Sequence, residues 1–545
     1  MKRTVLILVL VACVCAFLSA GGRSAQDSSG PMEITWYKWA PNSPALSYWK
    51  DALWVQELER RMNVKLTFRG PMGFDISGGG VAYPEASTIQ LASGDVDDLF
   101  LYNWNLLYQG GIEGGVNDGL IFHYGRHQKY LDMVPNWLRI VNADPDMLRD
   151  VSLNDGTIPL FAMINERPEV VGYSGLLIRK DWLDRLGLQV PTTTQELYNV
   201  LKAFKDRDAN GNGDPNDEIP MGGTGFGLLS QLMTAWTLRY NMFYPDMMNP
   251  GKMTYWTMYN GGRNFTQFLT DMAQWYREGL LDRDVFSQTN TQNIAKVTND
   301  RLGVTAGSPQ FLSNWTSALR ATKPELGNRT LFVGLPRIKG IDGIPYTHHN
   351  PFVRLAQVAE STTISPAAER AGKTPTILKV MYYLYSEEGQ VLHAWGVEGV
   401  SFYVDAQGNR QFTDLVSKDP QFPIAQKVLQ YANPFWGSWP KVMRYDAWLH
   451  IETADDDAMA SHRVFVEGDR SILVRNVRMN QRQMEEFTPI MADINTRVEE
   501  FVSRVITGQR PLSDIPGFLR ELDNMGLQRA YQIFNEANEI YMRQR

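Results

Sequence analysis

A strand, a helix and a second strand follow one another near the start of the chain. Residues 34–37 are rich in β-formers, and 46–62 carry apolar residues among charged ones at helical spacing. Residues 64–68 then alternate between apolar and polar side chains, as a half-buried strand does. The order β–α–β builds parallel sheets that are covered by helices. The sequence therefore predicts an α/β fold.

The same alternation of short strands and amphipathic helices continues along the chain. Further strands are expected at 98–102, 176–179, 301–304 and 331–333. Further helices are expected at 86–93, 180–186, 194–204, 265–281 and 374–395, and in most of the chain from about 455 onward. A chain of 545 residues is also long enough for two or more domains, so we expect more than one α/β lobe.

The first residues have the features of an export signal. Met1, Lys2 and Arg3 form a cationic start, 5–18 are apolar, and small residues follow at 19–22. This apolar stretch is too short for a typical membrane span. We expect residues 1–25 to be a signal peptide, with an exported protein in the periplasm or at the cell surface. An alternative is lipoprotein processing at Cys13, where a lipid anchor would then be attached.

The net charge and the Trp content limit the classes of ligand that the protein is expected to bind. The net charge is −7, and removal of residues 1–25, which carry three basic and no acidic residues, makes it −10. An acidic protein without a basic block is a poor partner for nucleic acid or anionic lipid. Its 15 Trp residues are many, and the indole ring packs well on the apolar face of a pyranose. A neutral or sugar ligand is therefore favoured.

Residues 208–218 combine alternating oxygen side chains with a glycine turn. The candidate ligands are Asp208, Asn210, Asn212, Asp214 through its backbone carbonyl, Asp217 and Glu218. Gly213 permits the sharp turn after the third of them, as in the first half of an EF-hand loop. No Glu stands at the twelfth position, however. The segment predicts a structural Ca²⁺ site, and the alternative is a polar turn that binds nothing.

Several segments resemble the family 1 extracellular solute-binding proteins of carbohydrate ABC importers, in particular the subgroup of alginate-oligosaccharide-binding proteins. The segments that carry the resemblance are 89–98, 178–188, 218–220, 276–282, 395–399 and 506–513. They span essentially the whole mature chain. The calcium loop fits the family as well, although it is a residue longer before its acidic pair than in many relatives. Whether Asn216 or Asp217 supplies the next oxygen is therefore left open.

The resemblance implies a type II periplasmic-binding fold, with two α/β lobes and a ligand cleft between them. We expect lobe 1 to comprise 31–172 and 337–404, and lobe 2 to comprise 173–336 and 405–545. It also implies a receptor, without enzymatic activity, that captures a sugar or oligosaccharide by lobe closure. The ligand would be delivered to the membrane subunits of an ABC importer, and the receptor is expected to be a monomer.

Candidate ligand contacts lie after predicted strands or in loops between the lobes. They are Trp39, Asn103, Trp104, Trp236, Arg239, Trp315, Trp436 and Trp439. Aromatic rings stack on sugars and polar side chains bind their hydroxyls in such clefts. For each Trp the alternative is packing in a core, whereas Trp182 and Trp275 are expected in cores because they lie on amphipathic helices. Trp436 and Trp104 are the favoured contacts.

Two other functions use similar residues. A secreted carbohydrate hydrolase also has acidic and aromatic clefts, but the chain has no H-E-x-x-H, G-x-S-x-G or P-loop motif. His348 and His349 have no companion ligands at metal spacing. A receptor of the same fold for peptides or other solutes is the second alternative.

Overall fold

The structure is a computed structural model that describes residues 30–70, 72–75, 83–108, 110–165, 174–347, 356–435, 440–452, 456–475 and 477–543. The predicted signal peptide and Cys13 lie outside these residues. So do the ligand candidates Trp436 and Trp439, and His348 and His349. Within the described part of the chain, no helix has both the length and the apolar character needed to cross a membrane.

Lobe 1 is built on a six-stranded mixed sheet. Its strands are β1 (Met32–Tyr37), β3 (Val64–Phe68), β5 (Leu99–Tyr102), β6 (Leu160–Ile164), β13 (Ala356–Ile364) and β16 (Lys441–Val442), in the order β16-β6-β13-β5-β1-β3. Only β13 runs antiparallel to its neighbours. Two small pairs accompany the sheet: β2 (Ala40–Asn42) with β4 (Met72–Asp75), and β14 (Phe402–Val404) with β15 (Arg410–Phe412).

Helices cover this sheet and close one large apolar core. The first seven are α1 (Leu53–Met62), α2 (Tyr83–Ala92), α3 (Trp104–Leu107), α4 (Gly111–Asn117), α5 (Gln128–Leu131), α6 (Pro135–Val141) and α7 (Pro145–Val151). Six more come from the second half of the chain: α14 (Pro366–Arg370), α15 (Thr374–Leu384), α16 (Glu387–Trp395), α17 (Asp414–Ser417), α18 (Ile424–Lys427) and α19 (Tyr445–Glu452). The core contains buried Trp36, Trp54 and Trp137.

Lobe 2 has a smaller sheet of four strands. They are β7 (Gly175–Arg179), β8 (Ile219–Met221), β11 (Leu302–Gly307) and β12 (Phe332–Gly334), in the order β12-β7-β11-β8. Strand β7 is antiparallel to both of its neighbours, whereas β8 and β11 are parallel. A hairpin of β9 (Phe243–Pro245) and β10 (Met253–Tyr255) lies apart from this sheet.

Ten helices surround the second sheet and enclose separate apolar cores. Six precede the return to lobe 1: α8 (Lys180–Leu186), α9 (Thr194–Asp206), α10 (Gly225–Met233), α11 (Arg263–Arg277), α12 (Asn290–Thr298) and α13 (Gln310–Thr322). Four complete the chain: α20 (Asp456–Val466), α21 (Gln481–Ile506), α22 (Ile515–Asn524) and α23 (Leu527–Arg543). Two lobes with separate sheets and cores confirm the predicted α/β, two-lobed fold.

The lobe boundaries differ from the predicted ones in two places. Residues 405–545 were expected in lobe 2, yet β16 pairs with β6 in the lobe 1 sheet and α19 packs in lobe 1. Residues from 337 were expected in lobe 1, yet Ile338 and Tyr346 pack in the lobe 2 core. The chain thus passes between the lobes after 165, after 347 and after 452.

Candidate functional site

The carboxyl ends of four lobe 1 strands lie on one edge of the sheet. β1, β3, β5 and β6 run in the same direction, so the residues that follow them share this edge. Lys38 and Trp39 follow β1, Asn103 and Trp104 follow β5, and Asn165 follows β6. Ligands of open α/β sheets bind at such an edge. These residues therefore outline the lobe 1 side of a candidate site.

The corresponding edge of lobe 2 is where the chain arrives from lobe 1. β7 begins there at Gly175, and the antiparallel β11 ends beside it at Gly307. β8 ends on the same side and continues into Gly222 and Gly223. Asn165 at the lobe 1 edge and Ser174 at the lobe 2 edge are only nine positions apart in the sequence. The residues at these edges form the candidate ligand site.

Trp39 lies at the lobe 1 edge in a cluster of aromatic and cationic side chains. Its ring is 5.1 Å from the Lys38 ammonium, and that ammonium is also 5.8 Å from the Trp49 ring. The Trp49 indole N–H donates to the backbone carbonyl of Trp39 at 2.9 Å. Trp39 is buried within this arrangement. It is correctly placed at the strand end, but it is held firmly in lobe 1.

Asn103 and Trp104 have different environments although they are neighbours. Asn103 is half-buried at the start of α3. The Trp104 ring is buried, and it packs edge-on against Tyr102 and Tyr108, with centroids 5.0 and 5.5 Å away. Gly115 packs so closely that an added Cβ would lie 2.7 Å from this ring. Trp104 has the packing of a core side chain, in contrast to the predicted ligand contact.

Lys441 anchors the loop that carries the two remaining Trp candidates. Its ammonium donates to the carbonyls of Asn433 at 3.0 Å and Phe435 at 2.7 Å, just before 436–439. Lys441 itself follows the loop and is the first residue of β16. Burial lowers the pKa of its ammonium to about 7. Lys441 therefore ties the backbone at Asn433 and Phe435 to the lobe 1 sheet, whereas the candidates Trp436 and Trp439 lie outside the described residues.

Trp236 and Trp315 lie in two different cores of lobe 2. The Trp236 indole N–H donates to the Asp271 carboxylate at 2.8 Å, and its ring packs edge-on against Phe268. Trp315 packs against Phe332, with centroids 5.9 Å apart. Both have the packing of core side chains, in contrast to the predicted ligand contacts.

Arg239 is also buried and is bound to the backbone of lobe 2. Its Nε donates to the carbonyl of Ile472 at 3.2 Å, and its Nη2 donates to the carbonyl of Thr347. Burial lowers its pKa to about 9, and the charge of Arg337 acts in the same direction. Its described hydrogen bonds are thus to the chain, next to a passage between the lobes.

The predicted calcium loop follows α9, and its side-chain oxygens accept hydrogen bonds from other residues of the loop. Asp208 accepts the backbone N–H groups of Gly211, Asn212 and Gly213 at 2.8–3.0 Å. The Asp217 carboxylate accepts from the side-chain amides of Asn210 at 3.1 Å and Asn212 at 2.9 Å. Three of the predicted ligands therefore meet inside the loop.

Glu218 and Asp214 complete the loop in different ways. Glu218 is buried, and its Oε1 accepts from the backbone of Ala209 at 2.7 Å and Asn210 at 3.2 Å, while its buried Oε2 has no hydrogen bond to a described residue. Burial raises the pKa of Glu218, and the charge of Asp217 acts in the same direction. Asp214 is exposed and accepts from Asn216. Among described residues, no three His, Cys, Asp or Glu side chains form a metal cluster.

Sequence reasoning missed three cationic residues near the candidate site. Lys38 stands between Tyr37 and Trp39 at a strand end, so the argument for Trp39 applies to it as well. Lys441 and Arg337 had no comparable local signal. Their positions depend on contacts with Phe435 and Ser174 that only the folded chain provides.

The chain is similar to curated substrate-binding proteins over part of its length. It is 28% identical over 239 residues to the fructooligosaccharide ABC transporter substrate-binding protein FusA of Streptococcus pneumoniae. It is 28% identical over 192 residues to the polygalacturonan/rhamnogalacturonan-binding protein YtcQ of Bacillus subtilis. These matches span 41% of this chain and of FusA, and 34% of this chain and of YtcQ. No family model matches the chain.

Solved structures match nearly the whole chain. The alginate-binding protein AlgQ2, in a structure without calcium ion, matches with a TM-score of 0.72 and 20% identity over 94% of this chain and 99% of its own. FusA of S. pneumoniae in complex with kestose matches with a TM-score of 0.72 and 20% identity over 94% of this chain and all of its own. A FusA EF-hand mutant matches equally well in TM-score. The chain therefore has the two-lobed fold of sugar-binding proteins such as AlgQ2 and the ABC-transporter substrate-binding protein FusA.

Proposed function

We propose that the protein is an extracytoplasmic receptor that captures a sugar or oligosaccharide between its lobes and delivers it to an ABC importer. The observation that carries the proposal is the match of the whole two-lobed fold to proteins that bind such ligands. The polar and aromatic residues at the strand ends of the two sheets support this proposal. Its role is binding, without a chemical step on the sugar.

The same proposal includes the partners and the location. The relative FusA is a substrate-binding protein of an ABC transporter, which supports membrane subunits of an importer as the partner. We keep the predictions that the protein is exported, by signal peptide cleavage or with a lipid at Cys13, and that it acts as a monomer. Trp436 and Trp439 remain the proposed aromatic ligand contacts, and Trp39 and Asn103 the proposed contacts at the sheet edge.

A thermal-shift screen tests the function. We expect one class of carbohydrate, among fructooligosaccharides, galacturonate oligomers and other oligosaccharides, to raise the melting temperature, with no release of reducing sugar. Replacing Trp436 by Ala should weaken binding of that carbohydrate about 10- to 100-fold, as expected for loss of one buried aromatic contact. Isothermal titration calorimetry measures this change, and the melting of the ligand-free variant should stay close to that of the wild type.

Tyr403 provides the control for this variant, because it is an exposed aromatic residue on β14. Tyr403→Ala should bind the carbohydrate as the wild type does. Released reducing sugar would support the hydrolase instead. A response only to peptides would support the other receptor class.

We also propose that the 208–218 loop holds a structural Ca²⁺. The supporting observations are the convergence of Asn210, Asn212 and Asp217 and the buried Oε2 of Glu218 without a described donor. Two neighbouring carboxylates in a partly buried loop repel each other, and a hard cation with oxygen ligands relieves that repulsion. A flip of each amide would exchange its NH2 group for its oxygen and present that oxygen to the cation. Asp208, the Asp214 carbonyl and Asp217 complete the proposed ligand set, and the cation would only stabilise the fold.

Calorimetry on chelator-treated protein tests this site. At ten times its Kd, calcium should stabilise the wild type by about 1.4 kcal/mol. Glu218→Gln should lose this gain, because the amide keeps the acceptor for Ala209 but removes the charge. Asp184→Asn, an exposed change on α8, should retain it. If calcium neither binds nor stabilises the wild type, the loop is a polar turn.

A further inference from the structure

Two arginines of lobe 2 are bound through backbone carbonyls at the passages between the lobes. Arg239 follows α10, and Arg337 follows β12. Arg239 is buried, Arg337 is half-buried with an enclosed Nε, and their described hydrogen bonds are all to carbonyl oxygens. Neither has a described carboxylate within salt-bridge distance. Arginine heads in protein interiors are normally paired with acids, so this pair requires another explanation.

The carbonyls that they hold lie at two of the passages and in the segment 465–472. Arg337 donates to Ser174 at 3.3 Å, where the chain has just entered lobe 2, and to Phe465 at 2.6 Å in α20, the first helix after the last passage. Arg239 donates to Thr347, the last described residue before the return to lobe 1, and to Ile472 at 3.2 Å. Two side chains thus tie the lobe 2 ends of the first two connections to the 465–472 segment, which lies one helix beyond the third connection.

Backbone contacts reinforce two of these ends. The Thr347 N–H donates to the Asp469 carbonyl at 2.8 Å, and the Asp469 N–H donates to the Pro345 carbonyl at 2.9 Å. Gly468 has a φ of 120°, and an added Cβ would lie 2.8 Å from the Pro345 carbonyl oxygen. Only glycine allows this close approach. The return segment and the 465–472 segment therefore run against each other beside Arg239.

Placing the charged side chains of Arg239 and Arg337 away from water costs electrostatic free energy. Burial lowers the pKa of Arg239 to about 9 and that of Arg337 to about 10, and both remain protonated at neutral pH. Arg239 Nη1 and Arg337 Nε are buried without a hydrogen bond to a described residue. Buried donors without partners destabilise a fold, so the arrangement would not be retained for stability alone.

We propose that Arg239 and Arg337 are positioning residues for ligand binding, which fix the lobe 2 ends of two connections in one register with the 465–472 segment. The inference rests on the proposed receptor function. Contacts from two lobes bind one ligand tightly only when the lobes meet in a defined orientation. By holding the connections to one another, the arginines reduce the number of lobe orientations in the ligand-free protein. The ligand then selects its binding orientation from a smaller set. They act through the backbone and do not touch the ligand.

The test uses the full-length protein and the carbohydrate that gives the largest thermal shift. Arg239→Met and Arg337→Met remove the hydrogen bonds and keep the side-chain length. Each should weaken carbohydrate binding about tenfold. Each should also broaden the range of radii of gyration that is needed to fit the X-ray scattering of the ligand-free protein. Arg239→Lys should recover part of the affinity, because it restores a donor but not the fork. Arg277→Met, an exposed change on α11, should have no effect.

A second readout does not require a ligand. Hydrogen exchange at the amides of Thr347 and Asp469 should become about tenfold faster in Arg239→Met, with exchange in the β11 strand unchanged. If no carbohydrate binds the wild type but exchange accelerates in Arg239→Met, the receptor proposal fails. The claim that the arginines fix the connections to one another then still stands. Wild-type affinity and wild-type exchange in both Met variants would overturn the inference. Loss of affinity for uronates alone would also overturn it, because the arginines would then bind the ligand's carboxylate directly.

Discussion

Replacing Asp300 by Asn should destabilise lobe 2 by about 3–5 kcal/mol, the usual effect of removing one member of a buried ion-pair network. The Asp300 carboxylate is almost fully buried and accepts from both Arg179 and Lys323. Asp300 has a φ of 62°, in the left-handed region, which Asn tolerates as well as Asp does. The substitution therefore removes a charge without adding backbone strain.

The effect is large because the network is balanced only when all four groups are present. Arg179 is 0% exposed, and its Nε donates to Asp181 at 2.8 Å. Burial opposes the charge of Arg179, but the hydrogen bonds and charges of Asp181 and Asp300 outweigh burial and raise its pKa. In the variant one carboxylate, that of Asp181, faces two cations, so the network is left with one uncompensated positive charge.

Urea unfolding followed by tryptophan fluorescence measures the change, because the Trp182 ring lies 5.0 Å from the Arg179 guanidinium. Asp206→Asn is the control, since Asp206 is exposed and 3.5 Å from Lys202. Such a surface pair contributes about 0–1 kcal/mol. Equal effects of the two substitutions would show that the buried network does not stabilise the lobe. The Asp300 carbonyl also accepts from the Asn210 amide at 3.1 Å, which links the network to the calcium loop.

The sequence predicted the elements whose signals are local. The strand at 64–68 and the helix at 180–186 lie at the predicted positions. Gly187 ends that helix with a φ of 67°, and Thr193 forms a capping box with Glu196. In each case the residues that determine the element are within a few positions of it. This is why the β–α–β start alone was enough to indicate the fold class.

Elements that depend on distant partners were not predictable in the same way. Residues 374–395 form two helices and not one, because Ser386 caps the second through the N–H of Gly389. β16 has only two residues and therefore no periodicity, yet its pairing with β6 returns the chain to lobe 1. The predicted boundary at 405 overlooked this pairing.

The aromatic candidates show the same limit in the site. Trp236 follows a glycine-rich turn and looks like a loop residue, but Asp271 on a helix 35 positions away accepts its indole N–H. Arg239 was predicted to bind the ligand, whereas its described hydrogen bonds are to Thr347 and Ile472. Residue type and local pattern indicate which side chains can bind a sugar. Only the tertiary neighbours determine which of them are already engaged.

Lowering the pH from 7 to 5 should destabilise lobe 1 through two buried histidines. His123 is 7% exposed, and burial lowers its pKa from 6.5 to about 4, with the charge of Arg126 acting in the same direction. Below pH 6.5 the unfolded chain binds a proton that the folded lobe does not. The stabilisation is therefore complete above pH 6.5 and is lost as the pH falls towards 4. At pH 5 the loss from His123 is about 2 kcal/mol.

His393 should add to this loss, because its environment opposes a positive charge even more strongly. Its ring is buried 4.4 Å from that of Trp54, and burial lowers its pKa well below 6.5, aided by the charges of Lys441 and Lys38. Urea unfolding at pH 7, 6 and 5 measures the effect. His123→Gln should reduce the loss of stability between pH 7 and 5 by the part that His123 contributes. The same change at exposed His127 should leave the pH dependence of stability unchanged. A wild-type stability that does not fall between pH 7 and 5 would contradict the burial of both rings in the neutral form. His393 also connects this prediction to the candidate site, because Lys38, one of the two lysines whose charges lower its pKa, follows β1 at the sheet edge.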